Sequence, residues 1–189
     1  MYRKPVGHYG FFQAAIATLR LQPEDVLLEI GCGGGVLLDL VWSTVQRAYG
    51  IDHSPDMVSL ARRQNEQASS QGRVGIVQGD IQALPWEKNT FTCVAGVEVL
   101  WFIEDLPGTL AELHRVLRPG GRLVFVTAAQ PRSPLSRFVF RPWLAHLRFC
   151  SDRELSTMLK QAGFETIQVN SLNRSEHSVF AHQLAYAAK

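Results

Sequence analysis

The sequence predicts a doubly wound α/β fold built on a seven-stranded sheet, mostly parallel, with helices on both faces and an antiparallel hairpin at its C-terminal edge. Three observations carry this. Short apolar runs alternate along the chain with stretches of helical periodicity, as strand–helix–strand units require. The first run, Asp25–Ile30, opens directly into glycines 31, 33, 34 and 35, as a strand does when it turns tightly into a helix. The last two runs, Thr166–Leu172 and Val179–Ala187, alternate well and are separated only by Asn173–Ser178, short enough for a hairpin.

Each element follows from local chemistry. Asp25–Ile30 is apolar enough for a strand buried on both faces. Gly35 to about Gln46 carries Val36, Leu37, Leu40, Val41 and Val45 as a helical stripe. Ala48–Asp52 is the second strand. Ser54-Pro55-Asp56 starts the next helix, with Ser as N-cap, Pro at N1 and an acid in the first turn, and this helix runs to about Ala68. Val74–Gln78 and Phe91–Val97 are the third and fourth strands, and Leu106–Leu117 is a helix. Pro119-Gly120-Gly121 turns the chain into a fifth strand, Arg122–Thr127. Ser151 and Glu154 have capping-box spacing, and Gly163 suits the C′ position of the helix they open.

A chain of 189 residues implies one domain over 1–189, with an N-terminal arm or helix over 1–24 and an insertion over 130–150. Apolar residues at 46% and charged residues at 19% exclude disordered and disulfide-scaffold classes. A net charge of +2 disfavours nucleic acid as a partner. The charge is uneven: residues 130–153 hold five arginines against Asp152 alone, so the rest of the chain is slightly acidic. Cys32, Cys93 and Cys150 show neither metal-ligand nor disulfide spacing, which points to no metal and a reducing, cytoplasmic setting. No apolar run approaches a membrane span or follows a signal-peptide pattern.

The glycine loop narrows the ligand. Val36 follows Gly35 where a phosphate-binding Walker loop needs Lys-Ser/Thr. Asp52 stands where a dinucleotide site has its ribose-binding acid, so NAD survives that test. The G-x-G-x-G spacing and Glu29, two residues before the first glycine, argue against it. A carboxylate aimed at the loop would repel pyrophosphate and suit a cofactor carrying a cation.

Glu29-Ile30-Gly31-Cys32-Gly33-Gly34-Gly35 resembles motif I of the class I S-adenosylmethionine-dependent methyltransferases. Three further segments are similar in the same order: Gly50-Ile51-Asp52-His53-Ser54-Pro55-Asp56-Met57, Gly79-Asp80-Ile81-Gln82-Ala83-Leu84-Pro85-Trp86, and Leu117-Arg118-Pro119-Gly120-Gly121. The resemblance implies a Rossmann-like fold, a methyltransferase of the quinone- and natural-product-modifying type, and S-adenosylmethionine as cofactor. It places Gly31, Cys32, Gly33 and Gly35 under the methionine part, with Glu29 ordering the loop and facing the positive end of the cofactor. Asp52 would accept the ribose hydroxyls and Asp80 the adenine amino group. His53 and Ile81 would flank the ring, with Met57 and Val97 completing the site. Asp80 also suits a plain cap on the turn after it, and His53 a surface position.

Methyl transfer from a sulfonium disperses charge rather than creating it, so alignment in a dry pocket supplies much of the rate. A base is needed only where the acceptor must lose a proton; Glu98 and His8 are the candidates. Trp101 and Phe102 stand where many relatives carry a histidine pair, which favours a small apolar or aromatic acceptor methylated on oxygen or carbon. Tyr2, Tyr9, Phe11 and Phe12 of the N-terminal arm fall near the same place. Residues 95–98 read Ala-Gly-Val-Glu, which lacks the [DN]-P-P-[FYW] motif of the amino-methylating relatives. Arg137, Arg141 and Trp143 fall in the expected acceptor lid. That stretch reads as an amphipathic lid, as a wall for an anionic or aromatic acceptor, or as a surface for RNA or a peripheral anionic membrane contact. Two other functions stay open: a non-catalytic cofactor-binding module, and an NAD-linked oxidoreductase, the latter without a Y-x-x-x-K pair. Monomer and homodimer are both compatible with the sequence.

Overall fold

The structure, a computed structural model, describes residues 9–131, 149–172 and 180–189. In chain order its elements are α1 (Tyr9–Leu19), β1 (Val26–Ile30), α2 (Val36–Val41), β2 (Arg47–Asp52), α3 (Pro55–Gln64), α4 (Glu66–Ser70), β3 (Val74–Gln78) and β4 (Phe91–Val97). A 3₁₀ turn (Leu100–Phe102) leads to α5 (Leu106–Val116), β5 (Leu117–Pro131), α6 (Asp152–Gln161), β6 (Glu165–Leu172) and β7 (Phe180–Ala188). The strands make one sheet in the order β3-β2-β1-β4-β5-β7-β6. Strands β1 to β5 pair in parallel, and β7 runs antiparallel between β5 and β6. The strand order reverses between β1 and β4, which sets the topological switch point beside the glycine loop.

Alternation along the central strands divides the core into two layers. Leu28 and Ile30 of β1, Val94 of β4 and Leu123 and Phe125 of β5 face the layer capped by α5 and α6. Leu27, Cys93, Ala95, Val124 and Val126 face α1, α2 and α3. Burial on both sides explains why these strands read as continuous apolar runs. At the amino end of the sheet Asp25 locks three strands together, accepting from Gln22 N–H, the Thr92 hydroxyl and the Arg122 guanidinium.

Three expectations change. The helix after the glycine loop ends at Val41 rather than near Gln46. Ser43, Thr44 and Val45 are weak helix formers, and Arg73 takes the freed carbonyls of Trp42 and Val45. The Ser54 helix stops at Gln64, with a separate turn over Glu66–Ser70, because the Asn65 side chain turns inward. Pro119-Gly120-Gly121 is an irregularity inside a longer β5, not a turn before it. Gly120 N–H donates to Lys189 O and Lys189 N–H to Gly121 O, which keeps the segment in the sheet. The Ser151 capping box forms, and Gly163 ends α6 at φ 93°.

Candidate active site

The carboxyl ends of β1, β2, β3 and β4 surround a cleft of about 900 Å³. Its floor is the glycine loop, in which three glycines do three different things. All have positive φ: 61° at Gly31, 49° at Gly33 and 75° at Gly35. A Cβ on Gly31 would lie 2.3 Å from Val99 Cγ2, and one on Gly35 would lie 2.5 Å from Asn65 Nδ2. A Cβ on Gly33 would meet nothing within 4 Å, because Gly33 faces the cleft itself. The outer two glycines therefore let the loop pack against protein, and the middle one leaves room for a ligand.

Asp52, at the end of β2, holds the loop from the far side. Its Oδ2 accepts from Gly33 N–H at 2.8 Å and its Oδ1 from Ser54 N–H at 3.0 Å. It is 6% exposed and opens only toward the cleft. Charge-assisted hydrogen bonds of this kind are strong and directional. His53 stands at the rim with its side chain 90% exposed, 3.6 Å from Asp52. Met57, Asp80 and Ile81 complete this side of the cleft. Oδ1 of Asp80 accepts from Gln82 N–H at 2.8 Å, so the turn cap forms.

Four other expected cofactor residues lie behind the loop rather than in the cleft: Glu29, Cys32, Gly35 and Val97. Glu29 is 2% exposed and accepts from Leu38 N–H in the first turn of α2. Burial first, and the neighbouring Asp52 charge second, hold its carboxyl well above the ordinary carboxylate range. Its Oε2 has no hydrogen-bond partner. The Cys32 thiol is pushed up by burial and then by the Glu29 and Asp52 charges, which leaves it an inert filler under Gly50. Val97 sits in the core on the α1 side.

Glu98 and Phe102 line the opposite end of the cleft, with Val99, Ile103 and Glu104. Glu98 follows β4 with φ 56°, a left-handed conformation that is strained for a side chain of this kind. Its N–H donates to Val126 O at 2.7 Å, and the Trp101 ring N–H donates to its carbonyl. Burial pushes its carboxyl up to about 7, opposed by the Ala128 N–H. Phe102 is 65% exposed. Trp101 lies beside the cleft, packed on Phe102 and Phe149. His8, Arg137, Arg141 and Trp143 fall outside the described residues.

Sequence reasoning missed Asn65, Val99 and His182. Asn65 sits on the apolar stripe formed by Val58, Ala61 and Ala68, and a polar residue there was the available signal. Its amide donates to Gly35 O and Ala61 O at 3.0 and 2.9 Å. His182 and Gln183 interrupt the apolar pattern of β7 in the same way, and both are buried. Val99 carried no signal, since only the folded loop shows what Gly31 makes room for.

A cleft at the switch point of a doubly wound sheet, with a glycine-floored loop and an acid at the end of the second strand, defines a protein that holds a nucleoside-bearing ligand. A family model described as a methyltransferase domain matches residues 28–125, and the chain belongs to that family, the class I S-adenosylmethionine-dependent methyltransferases. Membership decides against the NAD alternative. The chain is similar to the demethylmenaquinone methyltransferase of Lactiplantibacillus plantarum, 28% identical over 192 residues, covering 88% of this chain and 81% of that one. It is 40% identical over 110 residues to an uncharacterised 37.1 kDa protein in transposon Tn4556 of Streptomyces fradiae, and the match covers 57% of this chain but 31% of that relative's length. Among solved structures, phosphoethanolamine N-methyltransferase 2 of Haemonchus contortus, in complex with S-adenosyl-L-methionine, superposes with a TM-score of 0.83 at 16% identity, covering 96% of this chain and 52% of that one. That likeness shows the fold. Among the described residues no three metal-ligating side chains come together, and no helix is long and apolar enough to cross a membrane.

Proposed function

We propose that this chain transfers a methyl group from S-adenosylmethionine to a small aromatic acceptor of the reduced naphthoquinone class, seated between Glu98 and Phe102. The observation that carries it is the division of one cleft into a polar half at Gly33 and Asp52 and an apolar half at Val99, Phe102 and Ile103. The demethylmenaquinone methyltransferase likeness supports the acceptor class.

The residues present fit the cofactor. The open side of Gly33 is a cradle that a Cβ would fill. Asp52 keeps one lone pair on each oxygen after accepting from Gly33 and Ser54, and these can accept the ribose hydroxyls. Asp80, with His53 and Ile81 nearby, takes the adenine end, and Met57 walls the cleft at the start of α3. When bound, the cofactor supplies an electrophilic methyl on a cationic sulfur. Glu29 acts from beneath, through Leu38 N–H, to fix the loop. Val99 and Phe102 wall the acceptor half, and among the described residues Glu98 offers the one largely buried carboxyl that lines it. Residues 132–148, most of the expected lid, fall outside the described residues.

Release of S-adenosylhomocysteine, measured with reduced 1,4-naphthoquinones, phenols and small organic acids as acceptors, tests this. Turnover with the naphthoquinols above the other two groups is expected. Cofactor binding with no turnover on any acceptor would favour the non-catalytic module.

A further inference from the structure

We propose that His182, on β7, is the positioning partner of Glu98, the pair holding one proton between Glu98 Oε2 and the imidazole Nε2 so that Glu98 Oε1 takes the proton an acceptor loses on methylation. The proposal rests on the cofactor and acceptor reading above and adds the chemical class of the attacking group: one that carries an acidic proton, such as a phenolic or enolic hydroxyl, or an activated C–H.

The sheet register makes the pair. Val97 of β4 lies opposite Val126 of β5, which carries the Glu98 side chain past the end of β4 to the Ala128 N–H. Ala128 lies opposite His182 of β7. Glu98 Oε2 is thereby set 3.8 Å from His182 Nε2, and both side chains are only 10% exposed. The distance is a charge contact that tightens into a hydrogen bond with roughly 0.6–1 Å of movement, as acid–base pairs do when a ligand closes the site. The imidazole plane is fixed from a third element, its ring stacked on Phe11 of α1 at 4.3 Å between centroids.

Glu98 Oε1 is buried and accepts no hydrogen bond, although the residue lines the cleft. A buried carboxyl with a purely structural role looks different. Asp25, at the other end of the sheet, has both oxygens occupied by three donors. The Glu98 backbone is also held in a left-handed conformation at both its N–H and its carbonyl, so the direction of the carboxyl is imposed rather than accidental. Among the described residues His182 alone forms an ion pair with Glu98. Among the described residues, the other ionisable groups lining the cleft are Asp52, His53, Asp80 and Glu104; Tyr9 stands on α1, Tyr186 further along β7, and Arg118, Arg122 and Cys93 toward the other end of β5 and β4.

The step balances. An electron pair of the acceptor, a lone pair on a hydroxyl oxygen or the π pair of an enolic carbon, forms the bond to the methyl carbon while the carbon–sulfur bond breaks, its electron pair staying on sulfur to leave a neutral thioether. The acceptor's proton passes to Glu98 Oε1, the bonding pair remaining on the acceptor. His182 favours the ionised carboxylate before transfer by carrying the shared proton.

The test uses the full chain in three forms: wild type, Glu98→Gln, and His182→Phe, which keeps a ring on Phe11 and removes both nitrogens. Nitrogen NMR of His182 with S-adenosylhomocysteine present should show its titration midpoint falling by about one pH unit or more in Glu98→Gln, since an opposite charge this close shifts a pKa by roughly 1–3 units. Identical His182 titrations in wild type and Glu98→Gln would overturn the pair. With reduced 1,4-naphthoquinones as the probe acceptors, His182→Phe should move the acidic limb of the kcat profile up by about one unit and lower kcat about fivefold at pH 7. KM and S-adenosylhomocysteine affinity should stay within about twofold. A wild-type pH profile in His182→Phe would refute the positioning role. Failure of the cofactor reading looks different again: wild type itself would then not bind S-adenosylhomocysteine.

Discussion

Replacing Asp52 with Asn is the most informative single change at the cofactor end of the cleft. The substitution keeps the volume and removes the charge and one acceptor. Asp52 serves two backbone donors, Gly33 N–H at 2.8 Å and Ser54 N–H at 3.0 Å, one on each oxygen. An asparagine presents one oxygen and one NH₂ group, so one of these donors faces another donor. Hydrogen bonds to charged groups are worth about 1.5–3 kcal/mol each. For a domain of this size each kcal/mol corresponds to about 2–4 °C in Tm, so a fall of about 3–12 °C is expected. Part of this is offset, because the Asp52 charge also opposes ionisation of the buried Glu29. Affinity for S-adenosylhomocysteine should fall on the order of 10- to 100-fold, since a loop released at Gly33 must be ordered again and a ribose acceptor is gone. Thermal denaturation and calorimetric titration read the two effects separately. An unchanged Tm together with an unchanged Kd would refute the argument that Asp52 holds the loop and the ribose.

Three other outcomes follow from the same geometry. Gly31→Ala, at φ 61° and 2.3 Å from Val99 Cγ2, should lose about 2–4 kcal/mol by denaturant unfolding, and Val99→Ala should restore the steric part in a double-mutant cycle. Asn65→Asp turns two donated hydrogen bonds into a buried carboxylate facing the carbonyls of Gly35 and Ala61, and should cost about 2–4 kcal/mol at neutral pH. Glu98, raised from 4.5 to about 7, binds its proton more tightly folded than unfolded. Its contribution is present below about pH 4.5, declines as pH rises and is gone once pH passes about 7, a loss of roughly 3 kcal/mol. Glu29 acts in the same direction, so the difference between wild type and Glu98→Gln across pH 5–8 separates its share from that of Glu98 and its partner His182. Parallel stability curves for the two proteins would show that Glu98 titrates normally.

Much of this was legible in the sequence because the relevant signals are local. Glycines 31, 33 and 35 make the tight turn from β1 into α2 that the sequence suggests, all three at positive φ, and Ser54, Ser151 and Gly163 cap the helices that their spacing marks. What escaped depends on residues distant in the chain. Asn65 breaks a helix in order to reach Gly35, thirty residues earlier. Pro119-Gly120-Gly121 reads as a turn until Lys189 is seen pairing with it. Glu29 was expected to face the loop, and burial with a bond to Leu38 N–H places it underneath. His182 meets Glu98 only because β7 inserts antiparallel beside β5, a pairing that no spacing between them announces.

The measurement that bears most directly on the central claim is calorimetric titration of S-adenosylhomocysteine into wild type and Gly33→Asn. Asparagine tolerates a left-handed backbone better than most residues, and the space beside Gly33 belongs to the cleft. Saturable binding to wild type and a loss of about 100-fold or more in Gly33→Asn are expected, with Tm lowered by no more than a few degrees. Equal affinity in the two proteins, or no binding to wild type, would contradict that claim.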